Sequence, residues 1–416
     1  MNEVNFDIVK KYTLRGKLKN FDYFLNNYNL IETESETKYE NLEPWVQWVS
    51  FYSGKKYEEH NVSHLNDFEA TEWNFFSELE NKYSKKLALL FPMNLKNSFS
   101  SKNIFIPDPW TETTINADNY IKKIFKVLKK IVLENASSKI NFVDFISLLN
   151  FTIFRTSNDF KIFIFKNLKN IFKFKFYKAI VFDKICWEIN KKIINSNRFD
   201  VSSLFMNSCA HIQHHYLINC SVLQSEIKNP SWYVKEIDPV YECLKSYDNM
   251  LGELKKFKNK EFLILTGLSQ TVIKNPIFYY NLKNPELFFS HINIGYSKII
   301  KRMSRDYTLY FNSEEEALHA QKELAKIELN NYKFFSIKNV HKKLYLELIY
   351  EIEIKDNEIL VLNNSKKLNI KDHVDFIAIK NSIHNQKGYL ISSIKEYNNP
   401  INIWDVHKKI LKQYEK

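Results

Sequence analysis

Three histidines in the segment HIQHHY have a spacing that suits the binding of a metal or an anion. His211, His214 and His215 stand at positions i, i+3 and i+4, so all three project from one face if the segment is helical. Neutral imidazoles bind transition metals, and protonated ones bind anions. The alternative is that His214 and His215 are hydrogen-bonded helix histidines beside a sheet. His211 is the first candidate for a catalytic or ligand role.

Glu43 is a candidate acid–base residue because of its neighbours. It precedes Pro44 and is bordered by Trp45 and Trp48. Proline pushes the residue before it into an extended conformation and favours the first turn of a helix. A carboxylate buried there would act as a general base or nucleophile with a raised pKa. Alternatively, Glu43 caps the helix that Pro44 begins.

Two arginines in KRMSRDY are candidates for binding an anionic substrate. The guanidinium groups of Arg302 and Arg305 can hold a phosphate or a carboxylate through two hydrogen bonds. The alternative is an ordinary surface ion pair with Asp306 or a nearby glutamate.

The elements that must position these residues follow an α/β pattern. The apolar runs LALLF (87–91) and EFLILTGL (261–268) end at turn-forming residues, which is typical of strands buried in a parallel or mixed sheet. Helical periodicity precedes each of them, at 74–86 and 240–257. Helix followed by buried strand predicts a layered α/β structure. The last third, with KKLYLELIYEIEI and DFIAI, predicts a strand-rich α+β part.

Composition excludes several classes of protein. The 416 residues are 44% hydrophobic, which excludes a disordered chain, and no apolar run approaches the roughly 18 residues of a membrane-spanning helix. The first residues, MNEVNFDIVKKY, do not resemble a signal peptide, and the four cysteines lack CxxC spacing. We therefore expect reduced thiols and a cytoplasmic location, with attachment to the membrane periphery as an option.

The positive charge is concentrated in one stretch. The net charge of the chain is +12, and residues 121–200 hold 17 basic and 6 acidic residues together with 13 phenylalanines. This composition predicts an amphipathic helical insert, either with an ordinary solvated face or with a face toward an anionic membrane surface. No zinc-finger, helix-turn-helix or RNP-type signature accompanies the charge, which disfavours nucleic acid as the partner.

Four segments in order resemble the alkaline phosphatase superfamily, in its type I phosphodiesterase / nucleotide pyrophosphatase branch. They are VSFYSGKKYEEHNVSHLND (49–67), with Gly54 and His60 as anchors, NSCAH (207–211), LTGLSQ (265–270) and IHNQKGY (383–389). The resemblance implies two metal ions, usually zinc, on either side of a threonine or serine nucleophile. It also implies a leading buried strand, whereas here Met1 is followed at once by Asn2 and Glu3. Either the true start lies upstream of Met1 or the protein has lost an edge of its sheet.

Carried over by position, the resemblance assigns the ligands of the two metals very differently. The second metal would be held by Asn207, His211 and His384, which keeps both imidazoles and replaces a carboxylate by an amide. The first metal's positions fall near Asn2 or Glu3, near Glu43 or Pro44, and on Gly267 and Leu268. Glycine and leucine side chains bind no metal, so we expect at most one divalent ion, zinc by preference, and a metal-free protein is equally open.

These observations lead to one fold and two functions. We predict an alkaline-phosphatase-like three-layer α/β fold with a central mixed, mostly parallel sheet. Its parts are a core segment at 1–114, the basic insert at 115–200, a second core segment at 201–300 and a closing α+β part at 301–416. The first function is a divergent hydrolase or transferase acting on a phosphate or sulfate ester, with a role in surface-glycan metabolism. The second is a non-catalytic descendant that binds an anionic glycan, lipid or nucleotide.

For the first function, Glu43 and His211 would be catalytic, and His214, His215, Arg302 and Arg305 would bind the anionic substrate.

Overall fold

The computed structural model describes residues 1–36, 38, 42–62, 64–67, 73–133, 142–223, 236–301, 305–362, 367–394 and 397–415. These residues form two compact units. The larger unit comprises residues 1–272 and 382–416, and the smaller unit comprises residues 273–381.

The helices and strands alternate along much of the chain. The helices are α1 Phe6–Thr13, α2 Lys19–Asn27, α3 Pro44–Ser53, α4 Tyr57–His60, α5 Phe75–Asn81, α6 Asn119–Leu133, α7 Phe142–Arg155, α8 Asn158–Lys173, α9 Tyr177–Ser196, α10 Ser208–Tyr216, α11 Pro239–Leu254, α12 Pro285–His291, α13 Glu314–Leu324, α14 Ile370–His373 and α15 Val406–Leu411. The strands are β1 Leu30–Glu34, β2 Leu87–Leu90, β3 Ile104–Ile106, β4 Val201–Leu204, β5 Leu263–Leu265, β6 Ser269–Leu282, β7 Lys298–Lys301, β8 Asp306–Tyr310, β9 Glu328–Leu329, β10 Tyr332–Lys333, β11 Phe335–Val340, β12 Lys343–Leu348, β13 Ile359–Val361, β14 Lys367–Asn369, β15 Val374–Asn385, β16 Lys387–Ser392 and β17 Ile401–Asn402.

The larger unit has the layered α/β structure that the sequence predicts. The apolar run LALLF forms β2, whose four residues are all buried, and β2 lies between β3 and β4 with both pairings parallel. A second sheet has the order β17-β1-β16-β5, in which β16 is antiparallel to both β1 and β5. Strands that are apolar on both faces need helices on both faces, so the prediction of an α/β fold is confirmed.

The described strands of the larger unit form two sheets, so its layout is not clearly one central, mostly parallel sheet. β4 and β5 are the edge strands of these sheets, and both line a cavity of about 730 Å³. Residues 1–3 bridge only one end of this gap. The amino group of Met1 donates to the carbonyl oxygen of Leu265, and the backbone N–H groups of Asn2 and Glu3 donate to those of Met206 and Thr266. These contacts all lie close to the C-terminal ends of β4 and β5.

The smaller unit contains most of the strands predicted in the last third of the chain. Its four-stranded antiparallel sheet has the order β11-β12-β8-β7, and the alternating burial along β12 matches the alternation in KKLYLEL. The predicted division at residue 301 differs from the division in the structure. Residues 382–416 belong to the larger unit because β16 pairs with β1 and β5.

The basic stretch is helical, as the sequence predicts for 115–200. Four helices, α6 to α9, cover most of it. In the part of the chain that the structure describes, no helix combines the length and apolar character needed to cross a bilayer. The four cysteines are buried free thiols, which agrees with the sequence prediction of reduced thiols.

The two anchors of the motif at 49–67 have structural roles. Gly54 ends α3 with φ +68°, and a Cβ there would come within 2.1 Å of the His407 ring. His60 is buried, with Nε2 3.0 Å from the Ser50 hydroxyl oxygen, while its Nδ1 accepts the backbone N–H of Val62 at 3.0 Å. Burial lowers the pKa of His60 to about 4, because the charged imidazolium is poorly solvated inside the protein. Protonation would also break the hydrogen bond that Nδ1 accepts from Val62.

We expect His60 to make folding sensitive to acid. The folded-state pKa is below the ordinary value near 6.5, so the unfolded state binds more protons and stability falls as the pH drops from 6.5 to 4. The loss attributable to His60 should be about 3 kcal/mol. Unfolding by urea across this pH range, compared between the wild type and His60→Gln, measures it. Parallel stability curves for the two proteins would show that His60 does not contribute.

Candidate metal centre

The first turn of the chain places Glu3 inside the larger unit. Glu3 has a left-handed backbone conformation with φ +57°, and its side chain is 1% exposed. Asn5 then caps α1, since its side-chain oxygen accepts the backbone N–H groups of Asp7 and Ile8. The short segment before α1 thus carries a buried carboxylate next to the ends of β4 and β5.

Helix α10 carries the three histidines, and a buried carboxylate fixes where it begins. Asp183 accepts the backbone N–H groups of Asn207 at 3.3 Å and Ser208 at 2.8 Å, and it also accepts the Tyr247 hydroxyl at 2.6 Å. A carboxylate at a helix N-terminus satisfies donors that have no partner within the helix. This contact seats α10 at the end of β4, with His214 on its inward side and His211 exposed.

Three side-chain atoms converge on one point. Nε2 of His214 and Nε2 of His384 lie 3.1 Å apart, and each is 3.4 Å from Oε2 of Glu3. His384 is the second-to-last residue of β15 and is far from His214 in sequence. Among the described residues, this is the one group of three histidine, cysteine or acidic side chains close enough to share an ion.

The spacing of these atoms fits a tetrahedral metal. Zinc binds imidazole nitrogen and carboxylate oxygen at about 2.0–2.2 Å, so neighbouring ligand atoms lie roughly 3.3–3.5 Å apart. The observed separations of 3.1, 3.4 and 3.4 Å are close to that value. Two imidazoles and one carboxylate form a donor set of catalytic zinc sites, which keep a fourth position for water or substrate. The chain's own residues therefore fit one divalent ion.

Amide side chains hold both oxygens of the Glu3 carboxylate. Asn2 Nδ2 donates to Oε1 at 3.0 Å, and Gln270 Nε2 donates to Oε2. Gln213 Nε2 donates to the Glu3 backbone carbonyl at 2.7 Å, and Trp48 Nε1 donates to Asn2 Oδ1 at 2.8 Å. Such outer partners fix the orientation of a ligand before the ion arrives.

The Glu3 carboxylate stays ionised although it is buried. Burial by itself raises the pKa of Glu3. The charges of His384 and His214 and the hydrogen bonds from them have a larger, opposite effect, so the pKa lies well below its usual range. A protonated imidazole or a metal cation would compensate this buried negative charge.

Glu43 lies on the other side of His384. Its Oε2 is 3.7 Å from His384 Nδ1, while Nε2 of the same ring faces Glu3. The backbone at Glu43 is extended, as expected before Pro44, and its side chain does not cap α3. A carboxylate on the far nitrogen of a ligand histidine favours the tautomer whose Nε2 lone pair is free for a metal. The contact is an ion pair at 3.7 Å; the catalytic role of Glu43 stays a prediction.

The structure regroups the residues that the sequence analysis assigned to the second metal. Of Asn207, His211 and His384, only His384 belongs to the three-atom cluster. Asn207 Oδ1 accepts Asn2 Nδ2 at 2.8 Å, so Asn207 reaches Glu3 only through Asn2. His211 lies one turn before His214, and its ring is 4.9 Å from that of His215. Neither His211 nor His215 belongs to the three-atom cluster, which takes His214 from this helix.

The environment of His211 disfavours the charged form of its ring, so His211 is not suited to holding an anion by charge. Desolvation by the surrounding protein and the nearby His214 lower the pKa of His211, although its side chain keeps contact with solvent. The ring is therefore neutral near neutral pH and offers a proton acceptor beside the cluster. Its catalytic role, and the substrate-binding roles of His214 and His215, stay predictions.

One of the two candidate arginines has local ion-pair partners within the smaller unit. Arg302 lies outside the described residues. Arg305 forms ion pairs with Glu347 at 2.8 Å and Glu351 at 3.6 Å, and its guanidinium lies over the Tyr279 ring. These contacts agree with the surface ion-pair alternative, and substrate binding by either arginine stays a prediction.

The sequence pointed to parts of this cluster but not to its combination. The resemblance placed a first-metal ligand near Asn2 or Glu3 and a second-metal ligand at His384. The helical spacing singled out His214 as a binding residue. Gln270 was missed as a partner of Glu3, because a glutamine after a strand carries no distinctive sequence signal.

Solved structures of the phosphonoacetate hydrolase from Sinorhizobium meliloti 1021 align with almost the whole chain. For the complexes with phosphonoformate and phosphonoacetate, the identity is 9%, the alignment covers 99% of this chain and 94% of that one, and the TM-scores are 0.42 and 0.44. No protein-family model and no curated protein matches the sequence. The resemblance of the motifs to the alkaline phosphatase superfamily, and to its nucleotide pyrophosphatase branch, stays a prediction. At this identity and TM-score the alignment does not identify site residues. The candidate metal site is therefore assigned from side-chain geometry alone.

Proposed function

We propose that this chain is a hydrolase of a phosphate or sulfate ester that works with one divalent metal ion, zinc by preference. The observation that carries the proposal is the convergence of Glu3, His214 and His384 at ligand–ligand distances of 3.1–3.4 Å. One carboxylate and one divalent ion leave a net positive centre, which complements an anionic ester. The ester class itself follows the sequence resemblance.

A bound ion would supply a Lewis acid for the ester oxygen and lower the pKa of a water ligand. The chain's own residues prepare the site for it. Asn2 and Gln270 fix the ionised Glu3 carboxylate, and Glu43 orients His384 through Nδ1. We assign proton transfer to His211, whose ring is near enough to His214 for the two to affect each other's charge. A transferase using the same ester, and a role in surface-glycan metabolism, belong to the same proposal.

One feature favours the second function, binding without turnover. The position where the resembled family has its threonine or serine nucleophile falls near Glu43 and Pro44, neither of which provides a hydroxyl group. A site that holds a metal and an anion without a nucleophile would bind its ligand and release it unchanged.

Hydrolysis of bis(4-nitrophenyl) phosphate and 4-nitrophenyl sulfate tests these two functions. We expect the chelator-treated protein to be inactive, zinc to restore turnover of one of these esters, and His214→Ala to remain inactive with zinc. Zinc binding without turnover of either ester would favour the binding function. Failure to bind zinc would contradict the metal-dependent proposal.

A further inference from the structure

Helices α7 and α8 expose large apolar side chains that proteins usually bury. On α7, Phe142 is 77% exposed and Phe154 is 74% exposed; on α8, Phe165 and Phe172 are each 82% exposed. Single exposed apolar residues are ordinary, but a contiguous group of phenylalanines marks a surface that contacts another apolar phase.

Most of the exposed apolar residues of each helix share one face, while Val143 and Phe154 of α7 lie beside it. On α7 the residues of this face are Phe142, Phe145, Leu149 and Ile153, and on α8 they are Ile162, Phe165, Leu168 and Phe172. Spacings of three and four residues keep each set on one side of its helix. We call these eight residues the outer stripe.

The opposite sides of the same helices pack into the protein. Phe151 on α7 and Phe160 on α8 are buried in the main hydrophobic core of the larger unit. Residues on the opposite sides of α7 and α8 pack into the hydrophobic core, and the outer stripe takes no part in it. The outer stripe is therefore available for contact with another molecule or surface.

Lysines accompany the outer stripe and decide which partner fits it. Lys166, Lys169 and Lys173 are exposed on α8 between its apolar residues, and residues 121–200 hold 17 basic against 6 acidic residues. A second copy of the chain would bring the same positive charge against this face and be repelled. An anionic lipid surface offers both the opposite charge and an apolar layer beneath it.

We propose that α7 and α8 dock the protein on anionic lipid bilayers, with the outer stripe inserted at the boundary between headgroups and acyl chains. The lysine stems lie along the apolar surface while their ammonium groups contact the lipid phosphates. The helices lie in the plane of the interface and do not cross the bilayer.

Sedimentation with vesicles of phosphatidylcholine, with and without phosphatidylserine, tests this proposal on the full chain. We expect binding to the anionic vesicles only, weakened at least tenfold by the double substitution F165S/F172S, because apolar burial at the interface is lost. Binding should also weaken as the ionic strength rises from about 0.01 M to 0.15 M and the Debye length falls from about 30 to 8 Å.

A matched pair of single substitutions separates insertion from general stickiness. Leu168 in the outer stripe and Leu318 on α13 are both 48% exposed. Leu168→Ser should weaken vesicle binding, and Leu318→Ser should not. Equal effects of the two, no binding to anionic vesicles, or a dimer in solution that F165S/F172S dissociates would overturn the proposal. Equal retention by a DNA oligonucleotide column of the wild type and F165S/F172S, with no vesicle binding, would point to nucleic acid and also overturn it.

Discussion

Replacing His214 by alanine is expected to lower zinc affinity by at least about 100-fold. A zinc site in a small protein supplies about 10–16 kcal/mol over four ligands, or roughly 3 kcal/mol for each. Because His214 Nε2 lies 3.1 Å from His384 Nε2 and 3.4 Å from Glu3 Oε2, its removal leaves two donors. Isothermal titration calorimetry with zinc on the chelator-treated protein measures the change.

The neighbouring histidine is a matched control for this experiment. His215 lies on the same helix and is partly buried like His214, but it is outside the three-atom cluster. We expect His215→Ala to bind zinc with nearly wild-type affinity. If both substitutions weaken zinc binding alike, the cluster is assigned to the wrong residues of α10.

The second large effect is expected for Glu43→Gln. If Glu43 orients His384 from the far side of the ring, the substitution should lower zinc affinity by about 10–100-fold, the usual effect of removing an outer partner of a ligand histidine. Turnover of a cleaved ester should fall at least as much, because the remaining metal would be held with the wrong imidazole orientation. Titration with zinc and assay at saturating zinc separate the two effects.

Stability distinguishes this role of Glu43 from helix capping. The Glu43 side chain does not cap α3, and it is 36% exposed, so Glu43→Gln should leave the unfolding free energy almost unchanged. A loss of about 1 kcal/mol, as for a removed N-cap, with unchanged zinc affinity would show that Glu43 serves the helix and not the metal.

Local patterns in the sequence were enough to predict the elements around the site. Pro44 fixed the start of α3, the apolar run at 87–91 became a buried strand, and the histidine spacing placed three rings along one helix. These features depend on neighbours in sequence, where helix and strand periodicity and proline geometry act directly.

The grouping of the site residues depends on contacts that local patterns do not contain. Of the histidines of α10, the cluster takes only His214, and the pairing of His214 with His384 spans 170 residues. The two-sheet layout of the described strands of the larger unit likewise follows from a gap between β4 and β5, which only their three-dimensional separation shows. Long-range packing of this kind overrides what spacing alone indicates.

The proposed function depends on one metal ion held by Glu3, His214 and His384. X-ray absorption at the zinc edge, on protein loaded and then dialysed, tests it most directly because the spectrum reports both the number and the kind of ligands. We predict one zinc per chain with two imidazole nitrogens and oxygen ligands at about 2.0–2.2 Å, and one imidazole fewer in any zinc retained by His384→Ala. Two zinc ions per chain, or an imidazole count unchanged by His384→Ala, would contradict the account.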